Sequence, residues 1–222
     1  MSWGEVFKVN NKIKKPINKL LFEKKYFPIR VITTTGTYTP EKTGLYRVIC
    51  VGAGGDGFYR TYNNNFTNCG GGGGGVAIKD MTLTSTTSYN ATISTTASFG
   101  STLTATAGLK AVNTESAGYT QYPIGGTASG GDYNFTGETG EYDTINKANN
   151  NSRGGSVGVV IGELMSYRYS LRRSGLVAYG DSLLGYGGGG TSSTLYENSS
   201  STNFTEVGLP AAIIIIPLEL EA

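Results

Sequence analysis

The segment Leu45-Tyr-Arg-Val-Ile-Cys-Val51 runs directly into Gly52-Ala-Gly-Gly-Asp-Gly57, and after twelve further residues six consecutive glycines, Gly70 to Gly75, lead into Val76-Ala-Ile-Lys79. The first seven residues read as a strand from their β-branched and aromatic content. Two readings compete for the glycines. A strand feeding Gly-x-Gly-x-x-Gly is the dinucleotide-binding fingerprint, which works only where a helix opens at the last glycines, because its first N–H groups hold the pyrophosphate. Here the chain continues as Phe58-Tyr-Arg-Thr-Tyr-Asn-Asn-Asn-Phe66 and then the six glycines, a run that cannot be helical. The nucleotide reading fails, and a glycine-built scaffold remains.

Composition supports it. Glycine supplies 34 of the 222 residues, roughly twice average usage, while charged residues reach only 15% against the usual quarter. Fifteen Tyr, eight Phe and blocks of Val and Ile give apolar surface to bury, so the chain reads as folded and mainly β. Shorter glycine sets recur at 125–131, 154–158 and 187–190. A single run is most simply a flexible linker. These runs instead interrupt the body, between strands and aromatic loops. Lacking a Cβ, glycine lets backbones pack directly on one another, as on the collagen axis, and extended threefold helices turn their N–H and C=O groups sideways toward neighbours. The entropic cost is about 0.5–1 kcal/mol per glycine relative to alanine. A stiff platform holding the intervening loops outward gives that cost a purpose.

Val76-Ala-Ile-Lys79, Met81-Thr-Leu-Thr84 and Tyr89-Asn-Ala-Thr-Ile93 alternate with period two, as strands with one buried face do. Phe99 to Ala107 continues in that style, with Gly36 and Pro40 as earlier turn markers, and 109–156 reads as irregular. A short apolar strand is expected over Val157 to Ile161. The four isoleucines of Ala211-Ala-Ile-Ile-Ile-Ile-Pro-Leu218 predict a strand buried on both faces, central in its sheet. Cys50, inside an apolar strand, reads as a buried small hydrophobe.

The opening is different. Residues 1–30 carry eight basic and two acidic groups, against 10 basic and 14 acidic in the rest. Ser2 and Glu5 have capping-box spacing, and Trp3, Val6, Phe7, Ile13, Ile17, Leu20 and Leu21 recur every three or four residues. Pro16 divides the pattern, which predicts amphipathic helices over about 3–10 and 16–22. Two such helices are too short to stand alone. Residues 1–30 therefore read as a docking or oligomerisation segment, with those seven apolar residues as its contacts, and 31–222 as the glycine-rich β domain.

The absence of His removes Ser-His and Cys-His nucleophile pairs and imidazole metal sites, and two cysteines make neither a zinc ribbon nor a disulfide framework. No cofactor, metal or nucleic-acid motif is read, and an enzyme is not expected. No apolar run after the basic start makes a signal peptide, and Leu209 to Leu218, broken by Pro210 and Pro217, has half the length of a membrane span. The loops between glycine runs carry Tyr59, Tyr62, Asn64 and Phe66; Tyr119 and Tyr122; Tyr133; and Tyr167, Arg168, Tyr169 and Arg172. Tyr offers large rigid contact area and Asn adaptable hydrogen bonds, the chemistry of recognition surfaces. The plainer alternative is that these aromatics cover the sheet.

In their order along the chain, these features resemble the glycine-rich domain of bacteriophage tail fibres and related receptor-binding tail adhesins. The resemblance rests on Thr35-Gly-Thr-Tyr-Thr-Pro40, Val51 to Gly57, Gly70 to Lys79, Phe99 to Gly108, Gly125 to Gly137, Gly185 to Gly190 and the late isoleucine strand, spanning about 33–220. Met1 to Asn10 with Lys15 to Leu20 resembles the start of tail-associated proteins from phages of Gram-positive bacteria. The resemblance implies a β-sandwich-like domain with packed polyglycine II runs under distal loops, a homotrimer, and a place at the tail tip or baseplate of the virion. Its partners would be other tail or baseplate proteins through the N-terminus, and a bacterial surface polysaccharide or protein through the loops. The lack of a long coiled-coil or repetitive shaft departs from full-length fibres. Two alternatives stay open: a structural baseplate component without host contact, and a depolymerase using Glu138, Glu141 and Asp143, since glycoside hydrolysis needs paired carboxylates.

Overall fold

The computed structural model describes residues 29–221 apart from 63–64, 111, 115–118, 122, 147–149, 159–164, 167–168, 173–174, 179–181, 191 and 198–199. The expected N-terminal helices, with Trp3, Val6, Phe7, Ile13, Ile17, Leu20 and Leu21, lie outside the described residues. Among the described residues there is no helix, and the chain is mainly β.

Strands β1 (Arg30–Ile32), β2 (Gly36–Tyr38) and β3 (Gly44–Val51) are followed by the extended segment 52–57, the hairpin β4 (Phe58–Tyr62) and β5 (Asn65–Cys69), and the segment 70–75. Next come β6 (Val76–Leu83), β7 (Tyr89–Ile93), β8 (Ala97–Phe99) and β9 (Leu103–Ala105), then segment 106–110, β10 (Val112–Thr114), β11 (Tyr119–Gln121) and segment 123–127. Strands β12 (Ala128–Ser129) and β13 (Tyr133–Phe135) precede segment 136–141, β14 (Tyr142–Asn146), β15 (Asn150–Ser152) and segment 153–157. After β16 (Met165–Ser166), β17 (Tyr169–Arg172), β18 (Gly175–Ala178) and β19 (Ser182–Leu183), the chain passes through 187–190, β20 (Ser192–Glu197), β21 (Ser200–Thr205) and 206–211 into β22 (Ala212–Leu220).

Two five-stranded antiparallel sheets form the body, in the orders β1-β22-β3-β6-β13 and β12-β9-β8-β7-β2. In the first sheet Ile213 pairs with Cys50, Ile214 with Ile49 and Ile215 with Val48, so alternate residues point to opposite faces. Ile213, Ile215, Val48 and Cys50 enter one core together with Ala91, Phe99, Leu103 and Ala105 of the second sheet. Tyr89 stacks on Phe99 with ring centroids 5.7 Å apart. Ile214, Ile49, Val51 and Val76 occupy the other face, covered by Val157 and Leu183. The isoleucine run is thus buried on both faces, as its composition predicts, and each fully buried side chain contributes about 1.5–3 kcal/mol. β22 is interior to its sheet, one place from the middle strand β3.

Three expectations change. Phe99 to Ala107 is the end of β8, a turn and β9, because Gly100 takes φ +62°, a left-handed conformation that reverses the chain. Gly36 begins β2 and marks no turn. Val157 and Gly158 are not in a strand, although Val157 is fully buried; 159–161 lie outside the described residues.

Candidate functional site

The segments that leave and re-enter the body are hydrogen-bonded to one another through their backbones. Gly70 and Gly73 donate to Glu141 and Glu138 (2.8 and 2.9 Å), both on 136–141. Gly71 and Gly74 donate to Gly190 and Gly187 (2.9 and 2.7 Å), both on 187–190. Gly72 and Gly75 donate to Leu109 and Thr106 (both 3.0 Å) on 106–110. Every third residue therefore addresses the same neighbour, the repeat of a backbone with three residues per turn. The carbonyls of 70–75 accept from three further segments: Gly72 from Gly55 (2.8 Å), Gly71 from Gly155 (2.8 Å) and Gly73 from Gly126 (2.8 Å). Segment 70–75 thus has six backbone neighbours and no side chain of its own.

That geometry dictates where glycine is needed. A Cβ on Gly73 would overlap the Ser156 carbonyl, and one on Gly71 the Gly55 carbonyl, with only backbone there to yield. The surrounding segments need glycine wherever they meet another backbone, whether that of 70–75 or one another's: Gly54 faces the Gly188 carbonyl and Gly208 the Gly54 carbonyl. On 136–141 this is Gly137 and Gly140, three residues apart, against the carbonyls of Gly73 and Gly70. The six glycines of 70–75 cost roughly 3–6 kcal/mol in chain entropy. Their six paired donors return roughly 3–9 kcal/mol net, so the two effects nearly cancel.

The register also fixes direction. Gly52 donates to Gly75 and Gly55 to Gly72, so 52–57 and 70–75 run antiparallel; Gly57 donates to Glu206 at the end away from the body. The same levels align 106–110 with 123–127, 136–141 with 153–157, and 187–190 with 206–210. Four out-and-back pairs therefore carry four connections to one end: β4–β5, β10–β11, β14–β15 and β20–β21. There β14-β5-β4 and β15-β20-β21 form two three-stranded sheets lying against each other, and β10 pairs with β11. Cross-strand rows include Tyr62–Asn65–Asn146 and Tyr59–Asn68–Asp143. Asn68 and Cys69 are fully buried where β5 meets the segments.

Of the residues singled out from sequence, Tyr59 and Tyr62 on β4, Phe66 on β5 and Tyr119 on β11 stand on this distal end. Asn64 and Tyr122 lie outside the described residues. Tyr133 does not belong with them: it stands on the edge strand β13 of the body, 62% exposed. Tyr169 and Arg172 are on β17, in the 158–186 connection, which begins and ends beside the body at Val157 and Leu183; Tyr167 and Arg168 lie outside the described residues. The sequence reading missed β10 to β15, which lie within the stretch read as irregular, and the whole β20–β21 hairpin. The alternation Leu195-Tyr-Glu197 and Asn203-Phe-Thr205 about a polar Asn-Ser turn is the signal that marks the latter.

The acidic cluster has a structural task. Glu138 and Glu141 donate their N–H groups to Ser156 and Arg153 (2.7 and 2.9 Å), and their carboxylates accept from the same two residues' N–H groups at 3.3 and 3.1 Å. They clip 136–141 to 153–157. Asp56 likewise accepts the Gly208 N–H at 3.1 Å and pairs with Lys110 at 3.6 Å on the surface. Burial pushes the Cys50 thiol up to about 12 and the Cys69 thiol to about 11, which keeps both protonated and unreactive. Among the described residues no group of three or more His, Cys, Asp or Glu is placed to hold a metal, and no helix is long and apolar enough to cross a membrane. No protein-family model, curated protein or solved structure matches the chain.

Proposed function

We propose that this chain is a receptor-binding protein of a bacteriophage tail or phage-tail-like particle, attaching it to the bacterial surface through its distal end. The reading takes the body as a β-sandwich, the threefold backbone segments as polyglycine II helices, residues 1–30 as the docking element toward other tail or baseplate proteins, and the working form as a homotrimer. One observation carries it: four separate connections are delivered to one end by segments whose mutual packing is backbone on backbone. Such a platform lets connections vary in length and sequence while their roots stay fixed. The depolymerase alternative loses support because Glu138 and Glu141 already serve as inter-segment acceptors.

The test is adsorption. Purified full-length protein is expected to bind cells of the strain that the particle infects, and antibody against it to block adsorption. Absence of binding together with unimpaired adsorption under antibody would assign the chain to the baseplate structure instead. Glu138→Gln and Glu141→Gln should leave envelope polysaccharide as intact as the unmodified protein does. Deleting residues 1–25 should abolish assembly into particles while the remaining chain keeps its thermal transition.

A further inference from the structure

The distal strands differ chemically from the rest of the chain. Strands β4, β5, β10, β11, β14, β15, β20 and β21 contain 36 residues, of which eight are aromatic, eight are Asn or Gln and thirteen are Ser or Thr. Only Arg60, Asp143 and Glu197 are charged, and the register places Asp143 in a row with Tyr59 and Asn68, away from the row of Arg60. Arg60 is thus the sole cation on these strands. Most basic residues of the chain stand elsewhere, in 1–30 and around Arg172; Lys110, Lys147 and Arg153, which adjoin β10, β14 and β15, are single residues in separate connections and form no run.

We infer, resting on the attachment reading above, that the ligand of this end is an uncharged glycan. An anionic polymer rich in phosphate or carboxylate calls for Arg forks or clustered Lys, which these strands lack. The centre of a protein-binding surface is enriched in Trp, Tyr and Arg and poor in Ser and Thr. These strands hold no Trp, a single Arg and thirteen Ser or Thr among 36 residues. A neutral sugar presents hydroxyls that both donate and accept, matched by carboxamides and hydroxyls that do the same, and apolar ring faces matched by flat aromatic rings. The register places Tyr62, Asn65 and Asn146 in one row across three adjacent strands, an aromatic residue and two carboxamide residues at neighbouring positions.

The experiment uses full-length protein bound to envelopes of the strain that the particle infects. Three soluble competitors are prepared from those envelopes: neutral polysaccharide that passes an anion-exchange column, anionic polymer that the column retains, and detergent-extracted protein. The neutral fraction alone is expected to compete, and affinity should change less than twofold between 50 and 500 mM NaCl, since binding is carried by uncharged groups and little ionic attraction is there to be screened. The double variant Tyr62→Ala with Asn146→Ala should bind at least tenfold more weakly with an unchanged thermal midpoint. Competition by the anionic fraction with a steep salt dependence, competition by the protein fraction that protease abolishes, or full binding by the folded double variant would each overturn the inference while leaving attachment standing. A protein that binds no envelope at all would instead remove the attachment reading beneath it.

Discussion

The two-sheet body and the glycine segments solve the same problem by opposite means. The body is filled: Phe99, Ile213, Ile215 and Leu103 occupy its core, and its stability comes from apolar surface removed from water. The segments are emptied: around 70–75 the neighbours are carbonyls and amides, and cohesion comes from paired backbone donors at 2.7–3.0 Å. Removing atoms should therefore damage the first region, and adding atoms the second. The difference also bears on function. A side-chain core couples each residue to many others, whereas a backbone lattice carries almost no sequence of its own beyond its glycines, so the connections it supports are free to differ.

The largest expected effect tests the filled region. Phe99→Ala deletes a fully buried ring stacked on Tyr89 and should cost about 3–5 kcal/mol in denaturant unfolding. Gly73→Ala inverts the logic by adding one methyl group where only the Ser156 and neighbouring backbone stands. It should cost about 3 kcal/mol, lowering the thermal midpoint by roughly 6–12 °C. An unchanged midpoint would show that the segments are loose and the contrast unfounded.

Much of the first region is legible from sequence, because period-two alternation and the isoleucine run are local signals. The strands at Leu45 to Val51, Val76 to Leu83, Tyr89 to Ile93 and the Ile213 to Ile216 stretch follow from them. The second region is legible where its glycines cluster, at 52–57, 70–75, 125–131, 154–158 and 187–190. Six adjacent glycines are required at 70–75 because that segment is surrounded, whereas segments with fewer backbone neighbours need fewer: 106–110 shows only Gly108, 136–141 only Gly137 and Gly140, and 206–210 only Gly208. Such sparse spacing passes for ordinary loop composition, which is why 136–141 reads as irregular. The distal hairpins escape for another reason: Ser, Thr and Asn populate strands and turns alike, and the pairing of β5 with β14 joins residues 73 to 81 positions apart, from Cys69 with Tyr142 to Asn65 with Asn146, a long-range contact without a local pattern.

The two thiols report on the two regions separately. Cys50 lies within the body, and Cys69 where β5 enters segment 70–75. Both are held protonated in the folded state, at about 12 and about 11, whereas the unfolded thiols ionise near 8.5. The folded values are raised, so stability is complete below about pH 8.5 and falls as pH rises through the interval above it. The loss should reach roughly 1–2 kcal/mol per thiol by pH 10, and Cys50→Ala or Cys69→Ala should each remove its own share, as chemical denaturation at pH 7 and pH 10 would show. Equal alkaline loss in both variants and the unmodified chain would mean that neither thiol is shielded. The smallest effect belongs to Gly36, where a Cβ meets nothing within 4 Å and the backbone is extended. Gly36→Ala should change stability by no more than about 0.5–1 kcal/mol, in the stabilising direction, so that glycine as such is not what the fold requires.

Amide hydrogen exchange in native buffer compares the regions most directly, since Gly70 to Gly75 offer six consecutive donors with no side chain to shelter them. If every one is bonded to a neighbouring segment, they exchange as slowly as Ile213 to Ile215 of β22, with protection rising to that of global unfolding. Exchange of those six amides at the rate of an unstructured peptide, while β22 stays protected, would contradict the account.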